Sequence, residues 1–135
     1  MKSALEPLQE AVYSKISGDA TIMALITGVY DHVEQVEESN YPYVTIDDPT
    51  STPWRTHSRA GEELTITLHA WSQYNGKKEI NDIITNLNRL FGDTDLTVSG
   101  YDVAKSWYDY AQVFRELDGL TFHGLVRYRL RMLEA

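Results

Sequence analysis

The sequence predicts one α+β domain spanning residues 1–135, in which helices pack on one face of an antiparallel β-sheet and the chain ends in a long β-hairpin. Three observations support this fold class. Apolar residues recur at helical spacing near the N-terminus and again over residues 80–91. Between and after these segments, apolar residues alternate with polar ones as in half-buried strands. Two long alternating segments also flank Asp118-Gly119, a pair of residues typical of a hairpin turn.

The first part of the chain predicts two helices. Ser3 is expected to cap the first and Gly18 to end it, with an apolar stripe made of Leu5, Leu8, Val12 and Ile16. Asp19 then caps a short second helix that stops near Gly28.

Strands and loops follow. Residues 28–40 are polar and acidic, which predicts a loop around a short extended piece at Val29-Tyr30. Residues 41–46 and 64–71 alternate as strands do. Residues 48–61 lack apolar periodicity and contain two prolines, so we expect a long loop there.

The clearest periodic signal predicts a third helix, which Gly92 terminates and whose apolar positions are Ile80, Ile83, Ile84, Leu87, Leu90 and Phe91. A short strand is predicted over residues 96–99. The hairpin then runs roughly from Val103 to Glu116 and from Leu120 to Met132.

A two-residue Asp-Gly loop favours a type I′ turn, which pairs Leu117 with Leu120 and so sets the register of the hairpin. The pairs on one face become Phe114 with His123, Gln112 with Leu125, Tyr110 with Arg127, and Tyr108 with Arg129. The other face is apolar enough to be core, with Asp109 as its exception, and comprises Val113, Ala111, Trp107, Phe122, Val126, Tyr128 and Leu130.

We call the first face, with Tyr108, Tyr110, Arg127, Arg129 and Arg131, the Tyr–Arg face. It is either a solvated face with cation–π packing or a contact surface, since Tyr and Arg are enriched at interface hot spots. The acidic stretch 31–48 contains no Lys or Arg and offers a counter-surface in the next copy, which would give a head-to-tail ring. The candidate acids are Asp31, Glu34, Glu37 and Glu38.

The loop after residue 48 adds three candidate interface residues, Trp54, Arg55 and Arg59. A Trp flanked by bases favours contact with a partner. The alternatives are that Trp54 is tucked under its own loop or that it stacks on a nucleotide.

Composition excludes several functions. Cysteine is absent, so disulfides, thiolate catalysis and Cys-based zinc sites are excluded. The four histidines lack the helical spacing of a metal pair, and common catalytic motifs are missing, so we expect no metal, no cofactor and no enzyme activity. Adjacent acid pairs such as Glu62-Glu63 would point to opposite sides of a strand. A net charge of −8 argues against gripping nucleic acid, and no apolar run predicts a membrane span or export signal.

Several short motifs occur in an order that resembles the tail completion proteins, also called tail terminators or head-to-tail joining proteins, of long non-contractile-tailed bacteriophages. The resemblance covers nearly the whole length of the chain. The motifs are residues 28–31 (GVYD), 41–46 (YPYVTI), Trp54, 70–72 (AWS), 118–124 (DGLTFHG) and 127–129 (RYR).

This resemblance implies a non-enzymatic virion protein at the head-proximal end of the tail, which is present in the host cytoplasm during assembly. It implies a ring, commonly hexameric, that caps the tail tube protein and docks beneath the connector or stopper protein of the head. Such a protein can stay monomeric in solution, and DNA passes through the lumen without being bound. The alternative from another class is a cytoplasmic module of α+β fold that binds a small ligand or a protein.

Overall fold

The structure, a computed structural model, describes residues 3–31, 40–92 and 96–135. Within these ranges it contains three helices: α1 (Leu5–Ser17), α2 (Ala20–Met23) and α3 (Lys78–Phe91). Its strands are β1 (Val29–Tyr30), β2 (Tyr43–Ile46), β3 (Thr50–Pro53), β4 (Gly61–Ser72), β5 (Tyr101–Arg115) and β6 (Phe122–Glu134). The predicted α+β class and the C-terminal hairpin are confirmed.

The strands form one sheet in the order β1-β2-β4-β6-β5, with β3 pairing β4 beside β2. All neighbouring strands are antiparallel except β1 and β2, which run parallel, so the sheet is mixed rather than purely antiparallel. β4 and β6 form its centre and pair along their lengths, from Gly61 opposite Leu133 to Ser72 opposite Phe122.

The core lies between the helices and one face of this sheet. Even-numbered residues of β4 and β6 point into it, and the fully buried ones include Leu64, Leu68, Ala70, Val126, Tyr128, Leu130 and Met132. α3 contributes the buried face that its periodicity predicts. It lies so close to β6 that a Cβ atom on Gly124 would come within 2.8 Å of the Ile84 side chain.

The start of α1 depends on a distant carboxylate. Ala4, rather than the predicted Ser3, is the residue that precedes the helix, and its side chain supplies no cap. Its backbone N–H instead donates to Glu62 at 3.1 Å, and the Ser51 hydroxyl donates to the same carboxylate at 2.5 Å. Asp19 caps α2 as predicted, accepting from the N–H of Ile22 at 2.9 Å. No helix in the described ranges is long and apolar enough to cross a membrane.

Two predicted element boundaries are wrong. Residues 50–53, predicted as loop, form β3 and pair with β4. All four of its residues are exposed, so β3 carries no apolar alternation. Residues 96–99 form no strand, although Leu96 and Val98 are buried, because the segment fills the core without a strand partner. Most of the acidic loop, residues 32–39, lies outside the described residues.

The hairpin turn is not type I′. Only Gly119, with φ +70°, has a positive φ in the turn, and type I′ requires a second. Residues 117–120 instead form a four-residue connection, closed by the Glu116 N–H donating to the Thr121 carbonyl at 2.8 Å. The Asp118 carboxylate stabilises this turn by accepting from the backbone N–H groups of Leu120 and Thr121, both at 2.8 Å.

Candidate assembly surface

The side of the sheet opposite the core is not covered by any helix in the described part of the chain. Odd-numbered residues of β4 and β6 point to this open face, which is mostly half-buried and polar. The predicted alternation in β6 is confirmed, since Arg127, Arg129 and Arg131 all lie here and are half-buried, between fully buried core residues.

The predicted hairpin register holds near the turn and fails further along β5. Phe114 faces His123, Gln112 faces Leu125 and Tyr110 faces Arg127, as predicted. The predicted pairing of Tyr108 with Arg129 is wrong: Trp107 faces Arg129, and Tyr108 faces the core residue Tyr128. Tyr108 therefore lies on the helix side of the sheet, with its ring against that of Tyr128, and does not belong to the Tyr–Arg face. The physical cause is a register shift between Tyr108 and Tyr110, where one extra residue is inserted in β5.

This bulge moves two side chains from the predicted core face to the open face. Asp109, the exception in the predicted core, accepts from Arg127 Nε at 2.7 Å and from Arg129 Nε at 3.0 Å. These hydrogen bonds hold the pKa of Asp109 below its usual range, and the bond from Arg127 has the larger effect. Trp107 is the other residue moved, and it lies beneath the Arg131 guanidinium, 5.5 Å from the ring centre.

Arg131 joins the segment around Trp54 to strand β5 of the hairpin, the two parts of the chain predicted to carry the interface. Its guanidinium lies 5.4 Å from the Trp54 ring centre, between Trp54 and Trp107, and its Nε donates to Glu63 at 3.0 Å. Trp54 is half-buried, so much of its ring already packs on its own chain. Its contact with a partner remains a prediction.

The remaining candidate residues differ in their exposure and in their contacts. Arg59 donates to Asp102 at 2.5 Å and to the Glu134 carbonyl, so it fastens the loop to the end of the hairpin. Arg55 is exposed. Tyr110 is 42% exposed on the open face, where its hydroxyl donates to Gln112 at 2.8 Å and its ring lies 5.6 Å from the Arg127 guanidinium. Tyr108 is 48% exposed on the opposite face of the sheet.

The candidate acidic counter-surface is only partly described. Asp31 is exposed and lines a groove of about 580 Å³ together with Glu6 and Glu10 of α1. Glu34, Glu37 and Glu38 lie outside the described residues. α1 therefore extends the acidic surface, a contribution that the linear reading of residues 31–48 missed.

The open face also contains a histidine pair that sequence reasoning missed. His69 Nδ1 and His123 Nε2 are 2.6 Å apart, and their outer nitrogens contact Asp47 at 3.3 Å and Glu116 at 2.8 Å. Trp71 stacks on His123 with ring centres 3.7 Å apart. The only signal in the sequence is that both histidines occupy positions in predicted strands that point away from the core.

The ring tautomers set the directions of these three contacts, because each ring nitrogen of a histidine can donate or accept. Burial lowers the pKa of His123, against the opposite effect of its hydrogen bond to Glu116. The charged form of His123 is therefore disfavoured in the folded protein.

The described residues contain no group of three or more His, Asp or Glu that could hold a metal ion. The adjacent acids Glu62 and Glu63 point to opposite sides of β4, as predicted: Glu62 is 4% exposed beneath α1, whereas Glu63 binds arginine on the open face. The arrangement is a charged sheet surface whose arginines are hydrogen-bonded to Asp109 and Glu63.

The chain is thus a sheet backed by helices on one side, with an open face that carries arginines on the other. Its fold is shared with a chain in the virion of a native gene transfer agent particle, at a TM-score of 0.85 and 20% identity, covering 98% of this chain and 99% of that one.

The chain belongs to the family described as tail completion protein gp17, whose pattern matches residues 10–133. It is 29% identical over 128 residues to the tail completion protein gp17 of Bacillus phage SPP1, covering 95% of this chain and 93% of the relative. The structure of bacteriophage SPP1 gp17 matches at a TM-score of 0.62 and 28% identity, covering 99% of this chain and 93% of that chain. The protein is therefore a structural component of a phage tail and virion, and it is not an enzyme.

Proposed function

We propose that this protein forms a closed ring at the head-proximal end of the tail, where it caps the tail tube protein and joins the tail to the connector or stopper protein of the head. DNA passes through the lumen of the ring without specific binding. The protein is monomeric in the host cytoplasm until it meets the tail, and the ring is hexameric. The observation that carries this proposal is the open face of the sheet, which gathers arginines in an otherwise acidic chain.

The charge of that face favours contact between copies. Among the described residues, four cations, Arg127, Arg129, Arg131 and Lys105, gather around two carboxylates, Asp109 and Glu63. The cluster thus retains two positive charges in a chain of net charge −8. Electrostatic attraction would direct it toward an acidic surface of another copy.

The acidic surface around Asp31 and α1 supplies that counterpart. It differs from the arginine cluster, so the contact is heterologous, and a heterologous contact closes into a ring when the rotation between copies allows it. Asp109 and Glu63 hold the arginines in fixed positions before contact, which reduces the entropy lost on association.

Deletion is the direct test of joining. Particles assembled without this protein should accumulate as separate tails and filled heads, visible by electron microscopy, and supplying the protein in trans should restore joined particles. Normal joining in its absence would refute the proposal.

The ring contact has its own test. Arg127→Glu with Arg129→Glu should block joining while the monomer stays folded. Because Asp109 would repel the new carboxylates, the reversal is best made with Asp109→Asn, and Asp109→Asn alone is the matched control. Joining at the wild-type level by the triple variant would show that these arginines are not the ring contact.

A further inference from the structure

We propose that the tip of the β5–β6 hairpin is a docking site for a different protein of the head–tail joint. Leu117 and Leu120 would insert into an apolar pocket on that protein, and the rim of the pocket would be basic. This inference deepens the proposed function by naming the chemistry of a partner, and it rests on that function. It concerns a surface separate from the Tyr–Arg face.

Exposure is the first observation. Leu117 is 105% exposed and Leu120 is 55% exposed, the largest values among the exposed large apolar side chains of the described residues. Single exposed leucines are common on protein surfaces, but two at one projecting tip form a small apolar cap.

The second observation is that the tip is ordered. The Asp118 carboxylate accepts three hydrogen bonds, from the backbone N–H groups of Leu120 and Thr121 and from the Thr121 hydroxyl at 2.7 Å. The Gly119 N–H donates to the Glu116 carbonyl at 3.0 Å. A turn already held in one shape loses little conformational entropy when it binds, so apolar groups on it are effective contacts.

The third observation is that the tip is fastened to the sheet. Glu116, the residue before Leu117, contacts His123 at 2.8 Å, and His123 contacts His69 of the central strand β4. On the other side, the Gln73 amide donates to the Thr121 hydroxyl at 3.1 Å. The two leucines are therefore presented in a defined direction relative to the sheet.

The charge of this chain argues for a partner of a different sequence. Three grooves lined by described residues all carry charged groups, which a leucine would have to desolvate: Glu6, Glu10 and Asp31 in one, Glu10 and Lys15 in another, and Lys78, Glu79 and Asp82 in the third. The tip itself carries the exposed carboxylate of Asp118, so a basic rim complements it better than a second copy of an acidic chain.

The test that does not depend on joining uses a photoreactive phenylalanine analogue at position 117 in assembled particles. Irradiation and mass spectrometry should identify an adduct with a chain of different sequence. An adduct with a second copy, or no adduct, would overturn the proposal. The two proposals can fail separately. Normal joining of particles that lack this protein would refute the proposed function, whereas the identity of the adduct would still show which chain the tip contacts.

A second test uses Leu117→Asp with Leu120→Asp, which should lower the yield of joined particles by at least about tenfold, a factor that corresponds to about 1.4 kcal/mol. The melting temperature should be unchanged, since neither side chain is buried. Tyr74→Asp, at a residue 52% exposed, is the matched control and should join normally. A wild-type yield from the double variant would refute the docking role.

Discussion

Trp54→Ala distinguishes a tryptophan held for a partner from one that stabilises its own chain. The ring is half-buried and lies on the Arg131 guanidinium at 5.4 Å, which ties the segment after β3 to the centre of the sheet. A tryptophan reserved wholly for a partner would cost almost nothing to remove from the monomer. The geometry predicts a measurable loss instead.

The magnitude follows from the covered area. A fully buried Trp removes up to about 250 Å² from water, and roughly 100–150 Å² is a reasonable share for a half-buried ring. At about 25 cal/mol per Å² this gives roughly 2.5–4 kcal/mol, which residual burial in the unfolded chain reduces to about 2–3 kcal/mol. Losing the cation–π contact adds no separate term to this free energy, because Arg131 keeps its contacts with Trp107 and Glu63.

Thermal and urea unfolding of the purified protein measure the effect. A loss of about 2–3 kcal/mol should lower the melting temperature by roughly 7–10 °C for a domain of this size. Trp54→Phe keeps a ring over Arg131 and should lose less than half as much. An unchanged melting temperature for Trp54→Ala would show that the contact contributes nothing to folding, and would favour a role in partner binding alone.

Three further predictions concern stability. Gly124→Ala should lower the free energy of unfolding in urea by about 1–3 kcal/mol, because the added methyl group would lie 2.8 Å from the Ile84 side chain. An unchanged unfolding midpoint would mean that α3 does not lie so close to β6. Glu62→Ala should cost about 2–4 kcal/mol by removing a buried acceptor from the Ala4 N–H, whereas Glu62→Gln should cost less; equal losses would argue against the hydrogen bonds as the cause. Because the pKa of His123 is lowered in the folded protein, the unfolded chain binds the proton more readily. The free energy of unfolding should therefore fall as the pH drops through about 6.5 toward 5, and it should fall less steeply in His123→Gln. Identical slopes in the two proteins would show that another group causes the pH dependence.

The parts of the fold that local sequence dictates were predictable. The 3.6-residue period of α3 and the alternation of β4 require only neighbouring residues, and both are confirmed. The register near the hairpin turn was also correct, although the turn type was wrong: the same pairs result from a four-residue connection as from a two-residue loop within it.

What failed depends on distant contacts. The bulge at Asp109 has no local signature, yet it reverses which face Trp107 and Asp109 occupy and so provides the arginines with their carboxylate. Glu62 stabilises the start of α1 across a separation of 58 residues, which no local capping pattern reveals. β3 lacks a period because every one of its side chains is exposed.

The sequence predicted which arginines lie on the candidate surface, but not that carboxylates of the same chain already bind them. β6 presents its arginines on the open face, as alternation predicts. The sequence alone suggested cations free to meet another copy, whereas Asp109 and Glu63 already bind them and leave a smaller positive excess. The ring contact is therefore expected to add to an existing charge network rather than to neutralise unpaired arginines.

Reconstruction of the virion neck by electron cryomicroscopy tests the placement of this protein most directly. We expect a closed ring of copies at the head-proximal end of the tail, with the Tyr–Arg face of each copy against the Asp31 surface of the next. A single copy at the joint, or copies located elsewhere in the particle, would contradict the proposed ring.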